Sequence, residues 1–198
     1  MLTVQSVEGP YFIPLSPLRS DIRDGQIGRR LRIEMEVVDA RSCDPIAGAK
    51  VHIWHANAQG YYSGYPDYDP DVIEFTPHHL DEKSPNRFLR GHQISDARGR
   101  VTFETIYPAW YSFRTPHIHV KIQIGDKFLL TTQLYFPDEV NTTIRESLDP
   151  YRRRPDPIVD NNADPIIAET HGGSGGWPQV TVGGDADIAA LTIGILLT

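Results

Sequence analysis

Cysteine is almost missing from this 198-residue chain, with Cys43 the only one. A single thiol forms no disulfide framework and no cysteine-built zinc site, so neither staples the fold. Positive charge is also scarce. The formal charge is −7, and the densest basic run is Arg152-Arg153-Arg154, which excludes the basic stripe a nucleic-acid partner needs. No apolar run is long enough to span a bilayer, so a membrane partner is not expected; Ile188 to Leu197 alternates as a strand does. The first residues, Met1 to Glu8, lack a basic segment followed by an apolar one. No signal peptide is therefore read there, and a cytoplasmic protein is expected.

Period-two alternation is what the chain has in quantity. Leu31 to Val37 alternates strictly, and Ala49–Trp54, Phe88–Ser95, Val101–Ile106, His117–Ile124 and Phe128–Phe136 are further short strand candidates. Gln179–Val182 and Ile188–Leu197 suggest a closing hairpin, with Gly172 to Gly176 a flexible connection before it. Turn residues separate these runs at a spacing that points to an all-β fold, an antiparallel β-sandwich with long active-site loops and little helix. One short helix is expected around Val140 to Ser147, and the rest of 138–169 reads as loop, as does Asp21 to Arg30. The prolines and aromatics of Glu8 to Pro17 describe an extended arm. Residues 65–87 form a connection far above the usual length of about 4 to 6 residues. One domain over 1–198 follows: an arm at 1–30, a core at 31–137 with a metal site, and C-terminal loops and closing strands at 138–198.

The densest chemistry lies in Ile106 to Val120, which holds Tyr107, Tyr111, Arg114, His117 and His119. Residues two apart on a strand share a face, so His117 and His119 reach one ion together. Two imidazoles do not choose a metal, and a cupin-like site would need an acidic residue soon after the pair. None follows before Asp126. Tyrosines are the other source of oxygen ligands, with Tyr111 just upstream and Tyr61, Tyr62 or Tyr65 after an earlier strand. Two phenolates with two imidazoles would select ferric iron. His52 and His55 read as structural residues sharing a face opposite Trp54. The pair His78-His79 reads as solvated, His92 and His171 as isolated, and Arg152 to Arg154 as surface.

These motifs, taken with Glu8-Gly-Pro-Tyr-Phe12, Pro45 to Gly64, Phe88-Leu-Arg-Gly91, Asp96 to Pro108, Gln133-Leu-Tyr-Phe-Pro137 and Leu191 to Ile195, resemble the intradiol ring-cleavage dioxygenases. The form is short, lacking the family's N-terminal helical region and nearest in length to a protocatechuate-type subunit. The resemblance implies a non-haem Fe(III) cofactor held by Tyr62, Tyr111, His117 and His119, the first of these falling on Tyr62 because it follows the Asn-Ala-x-Gly-x-Tyr pattern. It implies that Arg114 lies beside the bound catecholate with Gln133 behind it, that Tyr111 acts as a base, and that Tyr11, Pro14 and Phe113 line the pocket. The reaction implied uses O2 to cleave a catechol-type substrate between its hydroxyls, giving a cis,cis-muconate-type product. Assembly as a homo-oligomer or with a partner subunit is compatible with this, and the choice among catechol, protocatechuate and hydroxyquinol stays open.

A different class shares part of the pattern. Pro45-Ile-Ala-Gly-Ala-x-Val51 and Asp96-Ala-Arg-Gly99 also suit transthyretin-like or carboxypeptidase-regulatory-like β-sandwiches, which are non-enzymatic binding modules. The four-ligand set separates the two, since such modules have no use for it.

Overall fold

The computed structural model describes residues 2–72, 79–111, 113–154, 159–170, 177 and 179–197. Strands form where the alternation predicts them: β1 (Arg30–Asp39), β2 (Lys50–Trp54), β3 (Arg90–Ile94), β4 (Arg100–Ile106), β5 (His117–Ile124), β6 (Lys127–Tyr135), β7 (Gln179–Thr181) and β8 (Asp187–Ile195). They make two four-stranded sheets, ordered β4-β1-β8-β7 and β3-β2-β5-β6. The expected connection at Gly172 to Gly176 lies outside the described residues, as do His78 and His171.

The core follows from the period. Leu31, Ile33, Met35 and Val37 of β1 and Phe103 of β4 meet Val51 and Ile53 of β2 and Ile118, Val120 and Ile122 of β5, all buried in one cluster between the sheets. Burying a Val, Leu or Ile side chain contributes about 1.5–3 kcal/mol, which makes this interface the main source of stability. At Gly99 (φ +73°) an added Cβ would come within 2.4 Å of the Val37 carbonyl oxygen, so the turn into β4 requires glycine.

One pairing departs from the antiparallel expectation. β8 runs parallel to β1, with Leu31 opposite Asp187 and Asp39 opposite Ile195. Parallel neighbours need a long connection, and here it runs through the second sheet and then 138–169. That stretch holds α1 (Asp138–Ser147), where a helix was expected, but also α2 (Pro165–Glu169), where loop was expected. Asp164 caps α2, its side chain accepting from Ile166 N and Ile167 N ahead of Pro165 at the first turn. The stretch before β1 is loop as expected, packed onto the body where Ile22 is fully buried and its amide donates to Glu104 O.

The arm runs along the sheet edges. Thr3 bonds Gly194, the Ser6 amide donates to Thr131 O, and the Leu80 amide donates to Pro10 O. These bonds seat the arm's aromatics over the outer face of the β3-β2-β5-β6 sheet.

Candidate metal centre

Alternation that sends Ile118, Val120 and Ile122 inward sends His117 and His119 to the opposite face of the same sheet. Register then sets their neighbours: Trp54 lies opposite His119, which lies opposite Gln133, and His117 lies opposite Tyr135. A second buried cluster of Tyr11, Phe12, Ile13, Trp54, Tyr62, Tyr65 and Tyr111 covers this face.

Two loops bring in the phenols. After β2 the chain turns on Asn57, whose Oδ1 accepts from the amides of Gln59 and Tyr61, and Tyr62 follows. Tyr111 starts a tight turn closed by Arg114 N donating to Tyr111 O at 2.8 Å, with Phe113 at φ +62°. Tyr61 is 37% exposed, whereas Tyr62 is 2% exposed, so only Tyr62 of that pair enters the site.

Four donor atoms converge. Tyr62 Oη lies 3.2 Å from Tyr111 Oη, 3.1 Å from His119 Nε2 and 3.5 Å from His117 Nε2. Tyr111 Oη lies 3.0 Å from His117 Nε2. The other nitrogen of His117, Nδ1, donates to Thr115 O at 2.7 Å, which leaves Nε2 as a bare lone pair facing the phenols. His119 Nδ1 has no hydrogen-bond partner among the described residues.

Burial governs the ionisation of all four. It pushes Tyr62 well above the usual phenol range, reinforced by Tyr111 beside it, and it raises Tyr111 too, although the Arg114 charge opposes that. Burial likewise holds His117 and His119 well below the usual imidazole range, with the Arg114 charge acting in the same direction. In the protein alone the four groups are neutral. Phenolate forms here only if a cation offsets the burial, and two phenol oxygens with two imidazole nitrogens match a hard trivalent metal. Among the described residues no group of three or more His, Cys, Asp or Glu converges, so a cupin-like carboxylate centre has no counterpart.

Beside this cluster Arg114 donates through Nε to Asp164 Oδ2 at 2.9 Å and through Nη2 to Gln133 Oε1. Gln133 is held from both ends, its Nε2 donating to Val7 O at 3.0 Å and its Oε1 accepting from Tyr135 Oη at 2.9 Å. The three residues expected to line a pocket divide. Tyr11 stacks on Tyr62 with ring centroids 4.4 Å apart. Pro14 is exposed on the arm, and Phe113 is 68% exposed at the tip of its turn.

Several contributors lie outside the expected set. Asp164 sits next to a proline at a helix start, a capping signal that was legible in the sequence. Arg90 is fully buried, donating to Ser63 O and Tyr11 O and so tying the Tyr62 loop to the arm. Arg154, expected at the surface, has a side chain only 5% exposed that donates to Asp71 and Trp110 O, with its guanidinium over the Trp110 ring. The shared face expected of His52 and His55 is also corrected. His52 and Trp54, two apart, both meet Phe12, whereas His55 lies past the end of β2 and bonds Thr105. His79, expected to be solvated, is mostly exposed and pairs with Glu8.

Known proteins are similar to this chain along most of its length. A family model described as Dioxygenase matches residues 7–170. The chain is 28% identical over 159 residues to a chlorocatechol 1,2-dioxygenase of Rhodococcus opacus, covering 68% of this chain and 56% of that protein. It is 31% identical over 140 residues to the protocatechuate 3,4-dioxygenase beta chain of Burkholderia cepacia, covering 63% and 54%. The chain thus spans about half the length of these curated relatives. A solved intradiol ring-cleavage dioxygenase from Tetranychus urticae matches with a TM-score of 0.91 at 33% identity, over 99% of this chain and 94% of that one.

Proposed function

This chain belongs to the intradiol ring-cleavage dioxygenase family, and from that premise we propose that it opens a catechol-type ring between its two hydroxyl-bearing carbons. Both atoms of O2 enter the product, a cis,cis-muconate-type diacid. The observation that carries the reading is the convergence of Tyr62 Oη, Tyr111 Oη, His117 Nε2 and His119 Nε2 within 3.0–3.5 Å contacts on one buried face.

Those four residues would hold a non-haem ferric ion. When bound, it supplies Lewis acidity that stabilises a doubly deprotonated catechol. The chain's own groups do the rest. Thr115 O fixes the tautomer and angle of His117. Held as a phenolate when the ion is bound, Tyr111 Oη would accept one of the two protons of the arriving catechol, the other leaving to solvent. Arg114 stands beside Tyr111, and its charge offsets the negative charge that builds on the ring during oxygenation, a role that contributes about 3 kcal/mol for one well-placed donor. Gln133 orients Arg114, and the aromatic cover keeps bulk water from the reacting atoms.

Oxygen uptake by the iron-loaded protein over a panel of catechol, protocatechuate and hydroxyquinol tests this. One O2 consumed per ring opened, with an open-chain diacid as product, is the expected result. A fully iron-loaded protein that takes up no oxygen with any of them overturns the proposal.

A further inference from the structure

The Asp164 carboxylate is completely buried and accepts four N–H groups from two directions. Its Oδ1 accepts from Ile166 N at 2.9 Å and Ile167 N at 3.3 Å, the start of α2, and its Oδ2 accepts from Thr115 N at 2.9 Å. Arg114 Nε then lies 2.9 Å from Oδ2 and 3.2 Å from Oδ1. A helix cap needs only one or two of these bonds and is usually wet. Here the carboxylate is pinned by three backbone amides and cannot follow the arginine, so the arginine is fixed to the backbone of α2.

We propose that Asp164 is the positioning residue for Arg114, setting where its guanidinium stands beside the metal centre. The inference rests on the intradiol reading of that centre. With Nε committed to Asp164 and Nη2 to Gln133, two of the three guanidinium nitrogens are held by separate elements: Asp164 across 50 residues of sequence, Gln133 from β6. An arginine side chain has several rotatable bonds, and holding it at two nitrogens leaves its plane a single orientation, with Nη1 as the donor committed to neither partner. Asp164 touches no reacting atom. Its effect on the guanidinium passes through the Arg114 side chain, and its bond to Thr115 N also steadies the residue whose carbonyl meets His117, so α2 becomes part of the site.

The test uses the iron-loaded protein. D164N keeps the shape of the side chain and an Oδ1 acceptor for the cap, but removes the charge and one acceptor. Expected are an unchanged iron content and visible band, kcat lower by about ten- to a hundredfold, a smaller change in KM, and an Arg114 guanidinium displaced in the crystal structure of the variant. D164E, which restores the charge, should recover part of kcat. A displaced guanidinium with unchanged kcat overturns the proposal, as does a lowered kcat with the guanidinium in place. Should D164N fail to accumulate, D164S keeps the cap without reaching Arg114 and takes its place. A wild-type crystal structure with Arg114 Nε away from Asp164 overturns the proposal without any variant. If iron-loaded wild-type protein takes up no oxygen with any of the catechols, the ring-cleavage reading falls, while the crystallographic comparison still decides whether Asp164 holds Arg114.

Discussion

Trp54 lies flat against His119, with ring centroids 4.8 Å apart and planes 8° from parallel. Since His119 Nδ1 has no hydrogen-bond partner among the described residues, the indole does for this imidazole what Thr115 O does for His117. One imidazole is aimed by a hydrogen bond and the other by a stacked ring.

Replacing Trp54 with Leu should therefore weaken iron binding by about tenfold or more, whereas Trp54→Phe retains a flat surface and most of the affinity. Competition with a chelator measures both. Equal affinities for the two variants would show that stacking does not orient His119.

Tyr62 and Tyr61 are adjacent but face opposite ways. Phenolate bound to ferric iron absorbs broadly in the visible, so the loaded protein should be reddish-brown. Tyr62→Phe and His119→Ala should lose iron and colour, and Tyr61→Phe should keep both. A colourless Tyr61→Phe beside a coloured Tyr62→Phe would assign the ligand to the wrong tyrosine.

Acid should unfold the protein partly through His55. Its ring is completely buried between Ala56 O and Thr105 Oγ1, and burial holds its pKa down at about 4, against 6.5 unperturbed. The unfolded chain takes up this proton first as pH falls, so the stabilisation is complete above about 6.5 and is lost progressively toward pH 4, on the order of 3 kcal/mol in all. His52, also lowered to about 4 chiefly by burial, acts in the same direction. Urea midpoints at several pH values should fall across this window, and less steeply in His55→Gln. Parallel profiles for the two proteins would remove His55 from the account.

Arg29 and Asp187 join the start of β1 to the start of β8, with bonds of 2.7 and 3.1 Å to a carboxylate that is fully buried. Breaking a buried pair by removing one partner costs about 3 kcal/mol or more. Asp187→Ala should show that loss in urea denaturation at pH 7, with iron binding intact in the protein that remains folded. A loss under about 0.5 kcal/mol, the level of a surface substitution, would contradict it.

The strands were legible because alternation is a local signal, and every one of the eight lies where it was expected. What joins them is less so. The parallel run of β8 beside β1 depends on a crossover whose course no local period encodes, and α2 is too short to show a helical face. The meeting of Tyr62, Tyr111, His117 and His119 was legible because these residues fall within recognisable motifs. Asp164 was not, since its part in the site comes from burial beside Arg114, a contact across 50 positions. The misplaced faces of His52 and His55 came from treating three consecutive steps as two.

The arm carries a consequence for the timing of assembly. Tyr11, the ring stacked on Tyr62, sits on a segment anchored to Thr131, Gln133 and Gly194, partners 120 or more residues later. Tyr62, Tyr111, His117 and His119 all precede these anchors in the chain, and contacts so distant in sequence form late. The arm is therefore fully seated over Tyr62 only after β6 has been made, which places the closing of this roof among the later contacts of folding.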